Sequence, residues 1–118
     1  MAKTIHGGSY SKNRGKRGER ELVLYIKDQG YEVHRTAQYK GKTGDAGDIE
    51  GLDGIHIECK RTERFKIRES MEQAVRDAKA QGKGNLPVVF QRGNDQEWLA
   101  VMRAEDWFKL YRKYEAGL

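Results

Sequence analysis

Gly47-Asp48-Ile49-Glu50-Gly51-Leu52-Asp53-Gly54-Ile55-His56-Ile57-Glu58-Cys59-Lys60 reads as one β-hairpin. Leu52-Asp53-Gly54 suits a three-residue loop, with Gly54 in the left-handed position that such loops need. A loop centred on Asp53 sets Gly51 against Ile55, Glu50 against His56, Ile49 against Ile57 and Asp48 against Glu58. Alternation along the second strand sends Ile55, Ile57 and Cys59 to an apolar face and His56, Glu58 and Lys60 to a charged outer face. Asp48 and Glu58 thus become cross-strand neighbours with Lys60 beside them. Facing like charges cost stability. A hard divalent cation, which prefers carboxylate oxygens, recovers that cost.

The remainder of the chain is compatible with one domain around this hairpin. Its 118 residues contain one cysteine and one proline, enough for one modest core and too few cysteines for an internal disulfide or a recognisable zinc spacing. Cys59, on the apolar face, is expected in the core. No apolar stretch approaches the roughly 20 residues of a membrane span, and Met1 to Gly18 lack the apolar segment of a secretory signal. A cytoplasmic protein without a membrane partner is expected. The net charge of +5 is gathered in two clusters, Lys3 to Arg20 and Lys60 to Arg68, which favours phosphate backbones as partners.

Residues 1–14 open with the polar, small run Gly7 to Asn13 and are expected to form a flexible basic arm, with a single domain over 15–118. A helix is predicted from about Gly15 to Gln29, capped by Gly30, with the apolar stripe Leu22, Val23 and Ile26. Glu19 falls in the middle of that stripe and Glu21 on the opposite side; a core-facing carboxylate needs a partner. Tyr31 to Ala37 reads as a strand. The loop Gln38 to Gly47 carries Lys40 and Lys42 and delivers the chain to Asp48; no Gly-Lys-Ser/Thr step follows it, so it is no nucleotide-phosphate loop.

A second helix is predicted from Ile67 to Gln81, stopped by Gly82, with Ile67, Met71, Ala74 and Ala78 as its stripe and Glu69, Ser70 and Gln73 able to approach the site. Leu86 to Phe90 and Glu97 to Met102 read as strands. A last helix, about Glu105 to Tyr114, carries the aromatic stripe Trp107, Leu110, Tyr111 and Tyr114, expected as core with self-association second. The fold class is α/β, a small mixed sheet flanked by helices.

This order of elements resembles the PD-(D/E)xK nuclease superfamily, and is most similar to the archaeal-type Holliday junction resolvases. The resemblance rests on Gly18-Glu19-Arg20-Glu21-Leu22-Val23, Gly30-Tyr31-Glu32-Val33-His34-Arg35, Gly47-Asp48-Ile49, Ile57-Glu58-Cys59-Lys60 and Glu72-Gln73-Ala74. It implies a restriction-endonuclease-like core with Glu19, Asp48, Glu58 and Lys60 as the catalytic set. Gly47 stands where the superfamily's name has proline, and Asp45 is a rival acid in the loop. Asp48 is preferred because it precedes an apolar strand residue and pairs with Glu58.

The implied activity is metal-dependent hydrolysis of phosphodiesters in structured DNA, foremost four-way junctions, by a homodimer. Asp48, Glu58, the Cys59 backbone carbonyl and Glu19 would ligate Mg²⁺, with Mn²⁺ as a substitute, and Lys60 would orient the attacking water. Lys12, Arg14, Lys16, Arg17, Arg20, Lys40, Lys42, Arg61 and Arg64 would grip the DNA backbone. Two alternatives stand beside this reading. One is a repair or restriction-type nuclease acting on duplex, flap or nicked DNA; the other is a noncatalytic DNA-binding subunit with the same fold.

Overall fold

The computed structural model describes the backbone of residues 2–36 and 47–118, and the side chains of 15–36 and 47–118. Its elements follow the order α1 (Ala2–Asp28), β1 (His34–Arg35), β2 (Ile49–Glu50), β3 (Ile55–Arg61), α2 (Ile67–Gln81), β4 (Leu86–Arg92), β5 (Leu99–Val101) and α3 (Ala104–Ala116). One sheet runs β1-β2-β3-β4-β5. Every neighbouring pair is antiparallel except β3 and β4, which run parallel through the α2 crossover. The α/β class with a mixed sheet is the one expected.

Leu22, Val23 and Ile26 of α1 pack with Val33, Ile49 and Ile57, and Leu52, Ile55, Cys59, Phe90 and Trp98 close round them. The expected α1 stripe is therefore the core-facing one. The helix ends at Asp28, and Gly30, at φ +99°, donates its N–H to the Lys27 carbonyl at 2.9 Å. At its other end α1 continues back to Ala2, past Gly15, where the helix was expected to begin, through the residues expected to form a flexible basic arm. Extending a formed helix adds a hydrogen bond per residue without a new nucleus.

Two expectations for packing are corrected. The outer face of the hairpin is not solvated: α2 covers it, and His56 and Glu58 are 3% and 4% exposed. A parallel β3–β4 pair needs a crossover helix, and that helix lies over the charged residues. The buried stripe of α2 is accordingly Ser70, Ala74, Asp77 and Ala78, while Ile67 at the helix start is half exposed.

Among the described residues β1 is shorter than expected, with His34 and Arg35 paired to Glu50 and Ile49 of β2. β4 is longer and reaches Arg92. Pro87 is tolerated there because β5 pairs only from Val89 onward, so the missing N–H deprives no partner. The aromatic stripe of α3 is exposed rather than core. What faces inward from α3 is Asp106, fully buried, held by Arg103 Nε at 3.0 Å and Lys109 Nζ at 3.4 Å.

Candidate active site

The hairpin turns as the sequence dictates: Ile55 N–H donates to the Leu52 carbonyl at 3.1 Å, Gly54 sits at φ +84°, and Ile49 faces Ile57. One step further the expected ladder changes. Asp48 N–H also reaches the Ile57 carbonyl, at 2.8 Å, so Asp48 and Ile49 both oppose Ile57 in the two-against-one count of a β-bulge. Asp48 is therefore not placed directly opposite Glu58. Its side chain crosses to β3 instead, and Oδ2 accepts the Cys59 N–H at 2.8 Å. On the strand's other side, Thr36 N–H donates to the Asp48 carbonyl at 3.0 Å and Thr36 Oγ1 to the Gly47 carbonyl at 2.6 Å. Asp48 is thereby fixed from both flanks.

Glu58 lies beneath α2. Its Oε2 is buried with no hydrogen-bond partner, as are His56 Nε2, 3.8 Å away, and Asp77 Oδ2. Burial, then the charges of Asp48 and Asp77, push the Glu58 carboxyl up against the opposing pull of His56. Burial is the largest single influence on His56 and works downward, but Glu58, Asp77 and Gln81 together outweigh it and raise the imidazole. The pair keeps a proton to higher pH than either group would alone. Asp77 was legible as an acid on the inward side of α2 once Ser70 and Ala74 are taken as the stripe. His56 was not, because the alternation placed it in solvent.

Lys60 Nζ donates to Gln73 Oε1 of α2 at 3.3 Å, so the helix holds the lysine head on the α2 side of β3. The Cys59 thiol marks where charges converge on the α1 side. Burial pushes it up, Asp48, Glu19 and Glu21 push it further, and Lys60 opposes them.

Glu19 occupies the inward side of α1 as expected, and Arg35 Nε donates to its Oε1 at 2.9 Å. Glu21 does not point away into solvent. Its Oε1 is gripped by Arg61 Nε at 3.1 Å and by Arg92 Nη1, from paired positions on the parallel strands. Arg61 also donates through Nη2 to Asn94 Oδ1 at 2.9 Å and approaches Glu63 at 3.7 Å. Its guanidinium is thus engaged within the protein, and among the described residues read as backbone contacts, Arg61 is the one whose guanidinium is built into the fold. Gly18 makes this contact between α1 and β3 feasible: a Cβ there would stand 2.5 Å from Arg61 Cβ.

Lys16, Arg17, Arg20 and Arg64 are exposed. The side chains of Lys12 and Arg14 lie outside the described residues, as do Lys40, Lys42 and the rival acid Asp45. Among the described residues, no three His, Cys, Asp or Glu side chains stand together as a ready metal cage, and no helix is long and apolar enough to cross a membrane.

Comparison with known proteins bears on the family and the fold. A family model described as "Phage putative PDDEXK endonuclease" matches residues 10–117. The chain belongs to this endonuclease family. Among solved structures, the endonuclease is similar to Hjc of Archaeoglobus fulgidus, a Holliday junction resolvase from an archaeal hyperthermophile. The identity is 23% over 73% of each chain, with a TM-score of 0.54; the likeness is one of fold. No curated protein matches the endonuclease.

Proposed function

We propose that this endonuclease is a Mg²⁺-dependent junction-cleaving enzyme whose catalytic set is Glu19, Asp48, Glu58 and Lys60. The observation that carries the metal reading is the buried Glu58 Oε2 with no hydrogen-bond partner, within the field of a second carboxylate, Asp48. A buried carboxylate oxygen left unbonded is costly, and a hard cation is the partner its chemistry suits. Carboxylate oxygens suit Mg²⁺, which keeps several waters and shares its shell with substrate phosphate. Asp48, Glu58 and the Cys59 carbonyl would hold the ion, with Glu19 acting through water. When bound, it supplies Lewis-acid polarisation of the phosphate and a more acidic water.

The protein's own contribution is positional. The Cys59 N–H holds the Asp48 carboxylate, and Gln73 holds Lys60 Nζ where its charge can stabilise the transition-state phosphate. Exposed Lys16, Arg17, Arg20 and Arg64 would grip backbone phosphates without reading bases. Cutting two strands of a junction calls for two sites, so a homodimer belongs to the proposal.

A gel assay with a four-way junction and its separate duplex arms, in Mg²⁺ and in chelator, tests it. Junction cleavage in Mg²⁺ alone is expected. Equal cleavage of both substrates would leave a general repair or restriction-type nuclease; binding without cleavage would leave a noncatalytic subunit.

A further inference from the structure

We infer that a polar cleft on the α2 side of the hairpin is a base-binding subsite, which seats one nucleobase carrying an exocyclic amino group beside the phosphate to be cut. The inference rests on the proposed nuclease function and adds to it a place where sequence is read. The cleft has a volume of about 300 Å³, at the lower limit for a pocket that holds a small molecule. That is room for a single base.

The cleft borders the catalytic set. His56 lines it, and Glu58 follows two residues on, about 6.8 Å along an extended strand and on the same face. Gly47, the residue before Asp48, lines it as well. A Cβ on Gly47 would stand 3.5 Å from His56 Nδ1, so the stretch that leads into Asp48 and the strand that carries Glu58 meet at the cleft. Successive nucleotides of one DNA strand rise by about 3.4 Å. A base within about two nucleotides of a phosphate held between the acids therefore reaches the cleft.

The lining chemistry selects the ligand. Besides His56, which is turned toward Glu58, the charged side chains of the cleft are Glu50, Asp53 and Lys83. Two acids against one ammonium repel a phosphate, and a neutral base escapes that repulsion. Glu50 meets His34 through Oε1 at 3.5 Å, which leaves Oε2 for a ligand. Carboxylates accept from amino groups such as cytosine N4, and the amides of Gln81 and Asn85 each offer the donor and acceptor that match adenine. Thymine carries a carbonyl where cytosine carries its amino group, so it meets the acids acceptor to acceptor.

A base must leave its stack to enter, and this costs least where it is unpaired or mismatched. The branch point of a junction supplies such a base, so a cleft that reads sequence also favours branched DNA. The exposed cations of α1 hold the backbone, and the cleft chooses among the positions they allow.

The test is the affinity of the full chain for a four-way junction in Ca²⁺, with gels confirming that the DNA stays whole, while an abasic site is moved through the nucleotides flanking the branch point. At one nucleotide of each bound strand, loss of the base should raise the wild-type Kd about tenfold. Exchanging cytosine for thymine there, with its pairing partner changed to match, should do likewise. Asn85→Ala and, separately, Asp53→Ala should bind the intact junction more weakly and respond to both changes by less than about twofold; far-UV circular dichroism checks that each variant is folded. A wild type indifferent to every abasic site, a wild type that binds cytosine and thymine alike at the seated position, or variants that keep the full discrimination would overturn the inference. Because affinity is read, a chain that discriminates bases yet cuts nothing in Mg²⁺ would leave the subsite standing and overturn the catalytic reading. A chain that cuts junctions and ignores every abasic site would do the reverse.

Discussion

Gly18→Ala should destabilise the protein and slow cleavage, although a helix standing alone would gain from it. Replacing glycine by alanine inside a helix is worth roughly 0.5–1 kcal/mol of stability. At Gly18 the new Cβ would lie 2.5 Å from Arg61 Cβ, 3.2 Å from Arg61 Cγ and 3.8 Å from Cys59 Sγ. The nearest of these atoms is tied to the β3 backbone, so it cannot swing aside as a side-chain tip would. Ordinary contact begins at 3.4 Å, and α1 must back away from β3 by about 1 Å to reach it. Overpacking of this kind costs about 1–3 kcal/mol, leaving a net loss of roughly 1–2 kcal/mol. Glu19 is the next residue and moves with the helix; misplacement by about 1 Å can cost on the order of 100-fold in rate. Urea unfolding in chelator and single-turnover cleavage in Mg²⁺ measure the two effects. Gly15→Ala is the control, since nothing stands within 4 Å of a Cβ there; it should stabilise by about 0.5–1 kcal/mol and leave the rate unchanged. If Gly18→Ala behaves as the control does, α1 does not rest on β3 at Gly18 and the placement of Glu19 is wrong.

Asp48→Asn keeps an acceptor for the Cys59 N–H and removes the charge, so cleavage should vanish with stability changed by less than about 1 kcal/mol. Asp48→Ala should lose cleavage and also about 1–3 kcal/mol for the orphaned N–H, and thermal melts of the two variants decide this. Glu58 and His56 both hold protons more tightly in the folded chain than their ordinary values of 4.5 and 6.5. Their stabilisation is therefore present at low pH and fades as pH rises through the folded values. In chelator, stability should decline from about pH 4.5 upward past 6.5, and Glu58→Gln should flatten that decline. An unchanged slope in the variant would remove Glu58 from the account. Glu21→Gln should weaken the fold by about 1–3 kcal/mol, because Arg61 and Arg92 lose a shared partly buried partner. Glu19→Gln should instead act on cleavage more than on the melting temperature; equal effects on both properties would merge their roles.

How far the sequence reaches is clearest at the hairpin. The Leu52-Asp53-Gly54 turn, the Ile49–Ile57 register, the α1 stripe and the glycine caps all follow from local geometry that a few neighbouring residues determine. The bulge at Asp48 does not, because it depends on Thr36, just past β1, and Cys59, within β3, holding the residue from either side. Nor does the burial of His56 and Glu58. Alternation reports that two faces differ, and it cannot report that a crossover helix will cover the polar one. Glu21 shows the same limit. Its angle on α1 relative to Glu19 was right, but Arg61 and Arg92 come from positions 40 and 71 residues away and meet only through the parallel pairing. The α3 stripe misled because aromatic spacing specifies an apolar face without saying whether the same chain covers it.

The β3 strand has helices over both faces, with Cys59 and Arg61 toward Gly18 of α1 and Lys60 toward Gln73 of α2. Each residue step along it exchanges one layer for the other. A single insertion or deletion between Ile55 and Lys60 would carry every later side chain to the wrong layer, sending the lysine into the apolar side and the cysteine under α2. Descendants of this chain can therefore lengthen or shorten freely in the turns, but within this strand they can change only by substitution or by paired gaps. The spacing of Glu58 and Lys60 should consequently outlast most of the residue identities around it.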